Sequence, residues 1–393
     1  MYKRLALLSS AILLVTAVGC GGGGTSNSPT PDVSVSPGKY LYVANSGDAT
    51  VSAFAISSAG VLTAVSGGDV ATSLQTPTGL AVNSSGKVYV GSSASRDVTT
   101  FSVDLKTGKL SSPTSLPGIL LNAPSGSTAT NLVTCGTHLF AIGETTGPTQ
   151  GGGSQSTGWG GEVFSLNSDG SINSSGLFGF GVFDSSPIVS NAFIDPTCAY
   201  LFHANTAANT AVQTTIDISA HSIHAYPGSL AGTAPVWVAA DASLKFLYVA
   251  NSGSNDVSAY AINVASGQLT PIAGSPFAAG QQPSAVIVVQ NWVYVANSAD
   301  NTISAFSWNQ ASGALTPVVG SPFAAGTAPT AFMTATTDLS NSPTGTLLYV
   351  ANKGSNNISA FVIDATGALK PVPGSPFAVG NAPKAMAVLV GPQ

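Results

Sequence analysis

Charge is something this sequence has little of. Only 7% of its 393 residues are Asp, Glu, Lys or Arg. After Arg4, Arg96 is the sole guanidinium in the chain. A nucleic-acid partner needs clustered cations that displace counterions; none are clustered here, so that class is excluded. Histidine and cysteine are scarcer still, with four and three residues. His138, His203, His221 and His224 form no recognisable ligand set or nucleophile–base arrangement with Ser, Cys or Asp. No metal and no cofactor are expected. Long apolar runs are missing too: the stretch Leu5–Gly19 has 15 residues, too short to span a bilayer comfortably as a helix.

What is abundant is apolar and turn-forming. Apolar residues make up 44% of the chain, and it holds 44 glycines and 24 prolines. The chain can bury a large core. Its surface must be covered by Ser, Thr, Asn and Gly, and it must turn often. That composition suits an all-β protein better than a helical one.

The N-terminus is set apart from the rest. "MYKR" supplies a short positive start, the apolar run follows, and it ends in "TAVGC". A small residue directly before a cysteine resembles the lipobox of bacterial lipoprotein signal peptides. In that family the cysteine, here Cys20, becomes the lipid-modified first residue; Ala17 stands where Leu is usual. The alternative is an ordinary secretory signal. "GGGGTSNSPTPDVSVSPG" then has the composition of a flexible tether. The expected organisation is a signal peptide over 1–19, a lipid-anchored linker over 20–37 and a folded unit over 38–393. Removing Lys3 and Arg4 with the leader leaves nine cations against sixteen carboxylates, a net charge of −7.

The folded unit is a repeat. "LYVAN" occurs at Leu41–Asn45, Leu247–Asn251 and Leu348–Asn352, with "VYVAN" at Val293–Asn297. Aligned on the aromatic residue, seven copies appear, at Tyr42, Tyr89, Phe140, Phe202, Tyr248, Tyr294 and Tyr349. Their spacings are 47, 51, 62, 46, 46 and 55 residues. Each copy holds four short strand-like pieces; in the fifth they are "APVWVAAD", "KFLYVANS", "DVSAYAIN" and "LTPIAG". Four strands in about 46 residues is the period of a propeller blade. The repeat resembles the YVTN family and the wider lactonase-like family of seven-bladed β-propellers, over essentially all of 39–390. The resemblance implies an all-β, seven-bladed propeller of four-stranded blades.

The chain ends fit that architecture. The first copy lacks an inner strand, and "APKAMAVLV" at Ala382–Val390 is an inner strand with no blade after it. The C-terminal strand is therefore expected to complete blade 1 and close the ring, removing exposed edges. "LYVA" then reads as a strand buried on both faces, and the Asn after it as a set of hairpin-end bonds or as a ligand ring. In "GSPFAAG", Phe277, Phe323 and Phe377 are plugs between blades or a rim of aromatics for a ligand.

Strand order also fixes two faces. The tether enters at the face of the first-to-second and third-to-fourth strand loops, so the opposite face points outward. "ETTGPTQGGGSQSTGWGGE", from Glu144 to Glu162, decorates that outward face between the second and third strands of blade 3. A Gly-rich loop of this length is either functional or disordered. If functional, Glu144, Trp159 and Glu162 are the candidate ligand-binding residues. "TTDLSNSPTG" in blade 7 falls on the other face and reads as decoration. Cys135 and Cys198 occupy related hairpin ends in blades 3 and 4, so a disulfide is open to them in an oxidising compartment.

Two functions are expected from these readings. One is an exported, lipid-anchored, monomeric propeller that binds a small molecule, glycan or protein at the cell surface, the outer membrane or the periplasm, touching membrane only through its anchor. The other is a lactone hydrolase, implied by the resemblance. Family members of the phosphogluconolactonase kind act on a phosphorylated sugar lactone. Phosphate is held by Arg or Lys clusters or helix N-termini, which this sequence lacks, so a neutral lactone is the expected substrate of an enzyme. No catalytic residue can be carried over by motif.

Overall fold

The computed structural model describes residues 38–95, 97–116, 130–148, 155–184, 191–336 and 345–390. They are strands and turns without helix, and all belong to the unit that begins at Ser34. The leader and linker lie outside the described residues.

Seven antiparallel sheets follow one another around a ring, each with four strands ordered from the axis outward. Blade 5 shows why the repeat folds this way. Its strands are Pro235–Ala240, Phe246–Asn251, Asp256–Asn263 and Gln268–Pro271. Asp241 makes the first hairpin: Oδ1 accepts the N–H groups of Lys245 and Phe246 at 2.8 and 2.6 Å. Asp195 closes the same hairpin in blade 4, at 2.9 and 2.7 Å to Ala199 and Tyr200. Such carboxylates mimic a backbone turn. The second strand is buried from Phe246 to Asn251, as two-sided packing demands.

The blade aromatics lock neighbours together. Tyr42, Tyr248 and Tyr294 donate their hydroxyls to the carbonyls of Gly108, Gly313 and Gly367 in the following blade, each at 2.9 Å. Tyr89 does the same to Gly170, and Tyr349 reaches Gly60 across the closure at 3.0 Å. Burial pushes these phenols well above their ordinary pKa. The accepting turns need glycine for two reasons. Gly367 has φ +82°, and a Cβ there would lie 2.4 Å from the ring of Trp292.

The YVAN asparagines are hairpin-end bonds. Asn297 Nδ2 donates to Thr302 Oγ1 at 3.1 Å and Ser304 Oγ at 2.9 Å, and Asn45 bonds Thr50 and Ser52 in the same way. Phe277–Ala278, Phe323–Ala324 and Phe377–Ala378 form short straps that pair with the third strand of their own blade. Their phenylalanines pack into the interfaces of blades 5/6, 6/7 and 7/1.

Pro383–Val390 pairs antiparallel with Lys39–Asn45, from Lys39↔Val390 to Asn45↔Pro383, so the last strand completes the first blade. Blade 3 departs from the loop expected over 144–162. Its second and third strands, His138–Pro148 and Gln155–Leu166, continue as one hairpin, with Glu144↔Trp159 among the register pairs. The outer strand Ile172–Asp184 follows them upward. Five residues beyond the usual strand end carry this extension roughly 17 Å above the outward face. The pairing runs on through Gly143, Gly158, Gly160 and Gly161, so glycine-rich sequence forms a strand ladder where a loop was expected. The decorated segment of blade 7, 337–344, lies outside the described residues. Cys135 and Cys198 are joined in a disulfide that staples blade 3 to blade 4, with 5.8 Å between their Cα atoms.

Candidate functional site

The outward mouth of the ring is built by one recurring device. In five blades the inner strand opens with proline and a β-bulge follows at once; those of blades 3 and 4 open with Asn131 and Ala192. The bulged residues are Thr78, Val236, Ser284, Thr330 and Lys384. A bulge re-aims the side chain it displaces. The residue before each proline is held at positive φ: Thr76, Ala234, Gln282, Ala328 and Ala382 lie between 50° and 61°. Non-glycine residues adopt that conformation only when their surroundings impose it, and here the second-to-third strand loops do. Asn356 Oδ1 accepts the Ala382 N–H at 2.8 Å, while Ser46 donates N–H and Oγ–H to the Ala382 carbonyl at 3.0 and 2.9 Å. Asn255 and Asn301 hold Gln282 and Ala328 identically.

The bulged side chains then divide. Ser284 Oγ and Thr330 Oγ1 donate to the first carbonyl of the next blade, Pro329 at 2.6 Å and Pro383 at 3.3 Å. Two others do not close the ring. Thr78 Oγ1 is buried with no hydrogen-bond partner. Lys384, the only cation in the series, has its ammonium destabilised, first by loss of water and second by the nearby charge of Lys353. Both line an axial cavity of about 190 Å³.

The same cavity receives Asn131, Asn191, Trp237 and Met333. Asn131 Nδ2 donates to Asn191 Oδ1 at 2.7 Å, joining blades 3 and 4. That bond leaves Asn131 Oδ1 and Asn191 Nδ2 available to a ligand. A buried hydroxyl without a partner, a desolvated amine and a half-satisfied amide pair converge here against an apolar wall. Buried polar groups are ordinarily satisfied, so this convergence marks a place for a polar guest. Among the described residues, no carboxylate or imidazole lines the cavity and no group of three or more His, Cys, Asp and Glu could hold a metal.

The residues singled out from sequence lie elsewhere. Glu162 is 2% exposed, inside the blade 3 sheet opposite Ala141. Glu144 and Trp159 face each other in register across the blade 3 hairpin; their side chains lie outside the described residues, as does Arg96. His203 is buried in blade 4, and burial lowers its pKa to about 3. His221 lies in the turn before the outer strand of blade 4, and His224 is on that strand opposite Thr215. The axial residues leave little mark in the sequence, because they are single departures inside a repeated phrase. "QPSAV" and "APTAF" become "APVWV" at Trp237 and "APKAM" at Lys384, and those breaks were the available signal.

A family model described as a seven-bladed β-propeller lactonase matches residues 15–117, 202–333 and 277–388. No curated protein matches the chain. Among solved structures, the periplasmic gluconolactonase of Pseudomonas aeruginosa aligns with a TM-score of 0.66 at 19% identity, covering 90% of this chain and all of that one. Two candidate 6-phosphogluconolactonases, from Bacteroides uniformis and Bacteroides fragilis, each align with a TM-score of 0.68 at 18% identity, over 90% of this chain and 99% of theirs. At such identities the likeness is one of fold.

Proposed function

The chain belongs to the seven-bladed β-propeller lactonase family, and on that premise we propose that it is a hydrolase of small, unphosphorylated lactones, working in the axial pocket. The observation that carries this reading is Lys384, desolvated at the mouth beside the unpartnered Thr78 hydroxyl and the Asn131–Asn191 pair. A lactone is opened when water adds to its carbonyl carbon. The carbonyl oxygen gains the negative charge, and the ring C–O bond then breaks to give an alcohol and a carboxylate. A lysine with a lowered pKa holds a larger share of free amine at neutral pH and can take the proton from that water. The Asn191 amide and the Thr78 hydroxyl are donors for the oxyanion. The product carboxylate meets the ammonium that results.

The pocket suits a neutral carbonyl better than a phosphate. One lysine lines it, supported by Lys353 at the rim, whereas phosphate is held by clustered or forked donors. The leader with Cys20 and the Gly/Ser/Pro tether support an exported, lipid-anchored setting.

A second reading is a ligand-binding ring without turnover. It is favoured by the lack of carboxylate and imidazole among the described residues of the pocket. One assay separates the two. Soluble protein from residue 38 onward is tested on γ-butyrolactone and δ-valerolactone, with Lys384→Met as control. Hydrolysis above the spontaneous rate that falls at least 100-fold in Lys384→Met supports the hydrolase. Binding of these lactones with no turnover supports the ring.

A further inference from the structure

Resting on the reading of the axial pocket as the ligand site, we infer that Trp237 sets the size of the ligand by walling the channel into two chambers. In the register of the inner strands, Trp237 occupies the position held by Gly79, Ala285, Ala331 and Ala385 in other blades. Asn131 and Asn191 complete that layer. Alanine in blades 6, 7 and 1 leaves the axis open, and the indole of blade 5 fills it. Trp237 packs at once against the hydrophobic cores of the 5/6, 6/7 and 7/1 interfaces. No residue confined to its own blade interface could touch all three.

Two cavities flank the indole. The first is the pocket of about 190 Å³ with Lys384, Thr78 and the amide pair. The second, of about 300 Å³, is lined by Phe193, Val286, Ile287 and Phe332. Trp237, Asn191 and Phe332 belong to both linings, so the indole forms part of the partition. An apolar cavity of about 150 Å³ accepts one benzene ring. The polar chamber is therefore sized for a single five- or six-membered ring, and a second fused ring collides with Trp237. The ligand class that follows is a monocyclic lactone whose carbonyl meets the Lys384 end and whose methylenes meet the indole. Removing the indole joins the chambers and moves the limit to two rings.

The test uses lactams, which keep the ring and carbonyl of a lactone but resist hydrolysis, so binding is read without turnover. Calorimetry compares 2-piperidone, with one ring, and 3,4-dihydro-2-quinolinone, with two fused rings. Wild type is expected to favour the single ring at least tenfold, the scale on which pockets discriminate by size. Trp237→Ala should reverse that preference, and Trp237→Phe should lie between. Trp237→Phe also keeps the test sound if Trp237→Ala fails to fold. An unchanged ratio in a folded variant overturns the inference, and so does failure of both lactams to bind wild type and variants. Correct lactam selectivity with no lactone hydrolysis would sink the hydrolase reading and leave the size rule standing.

Discussion

At the scale of single residues, the YVAN phrase is a set of separate jobs. Tyr latches the next blade through its hydroxyl, Ala admits the neighbouring sheet, and Asn ties the hairpin end. Val fills the interface with the preceding blade, as Val43 does. Blade 4 breaks the phrase at that last position with His203, which is 1% exposed. Burial holds its pKa near 3, against 6.5 for the free side chain. The sign follows from linkage: a folded pKa below the unfolded one means the unfolded chain binds the extra proton. This contribution to stability is whole above pH 6.5 and shrinks as pH falls from there to about 3. The slope is about 1.4 kcal/mol per pH unit for one group. His203→Val restores the residue of the other blades. Urea midpoints measured from pH 7 to pH 4 should fall less steeply in the variant than in wild type. Equal slopes would show that His203 does not carry the acid sensitivity.

At the scale of elements, the blades divide into those that read themselves and those that do not. Blades 5, 6 and 7 are legible from sequence because latch and strap recur in each, Tyr248, Tyr294 and Tyr349 with Phe277, Phe323 and Phe377. Blade 3 is not. Its hairpin is Gly-rich and lacks the β-branched alternation that marks a strand, so backbone pairing between Glu144 and Trp159 leaves no trace in composition. The axial site was hidden for a different reason: Lys384 and Trp237 act through register across seven strands, and sequence spacing does not carry register. Phe140 and Phe202 lack the hydroxyl that latches other blades, and blades 3 and 4 hold the cross-blade disulfide instead. Its cysteines are 63 residues apart, a loop whose closure is worth about 4 kcal/mol in the unfolded chain. Reduction should lower the urea midpoint of the wild-type protein, and Cys135→Ala/Cys198→Ala should show the lower value with or without reductant. A midpoint indifferent to reductant would mean that the latchless blades are held by packing alone.

At the scale of the whole molecule, the ring is what aims the pocket. Lys384 stands on Pro383–Val390, the strand that closes blade 1 from the far end of the chain. Thr78, Asn131, Asn191 and Trp237 come from blades 2 to 5, so the site exists only in the closed ring. Closure is noncovalent and depends on seven register pairs, on Tyr349 reaching Gly60, and on Asn356 and Ser46 gripping Ala382. Truncation after Ala382 removes the strand and exposes the edge of Lys39–Asn45, whose unpaired N–H and C=O groups invite association. That variant should lose the cooperative urea transition and sediment as oligomers. Adding a synthetic peptide of residues 383–390 should restore the monomer by supplying the missing strand. A circular permutant should do so without added peptide: Pro383–Val390 is joined by a short turn to Lys39, its neighbour in the sheet opposite Val390. Its chain would then run strand by strand through blade 1. If the permutant folds and binds 2-piperidone as wild type does, the ring needs the strand and not its place in the chain. A folded, monomeric truncation with unchanged binding would show that blade 1 closes without it.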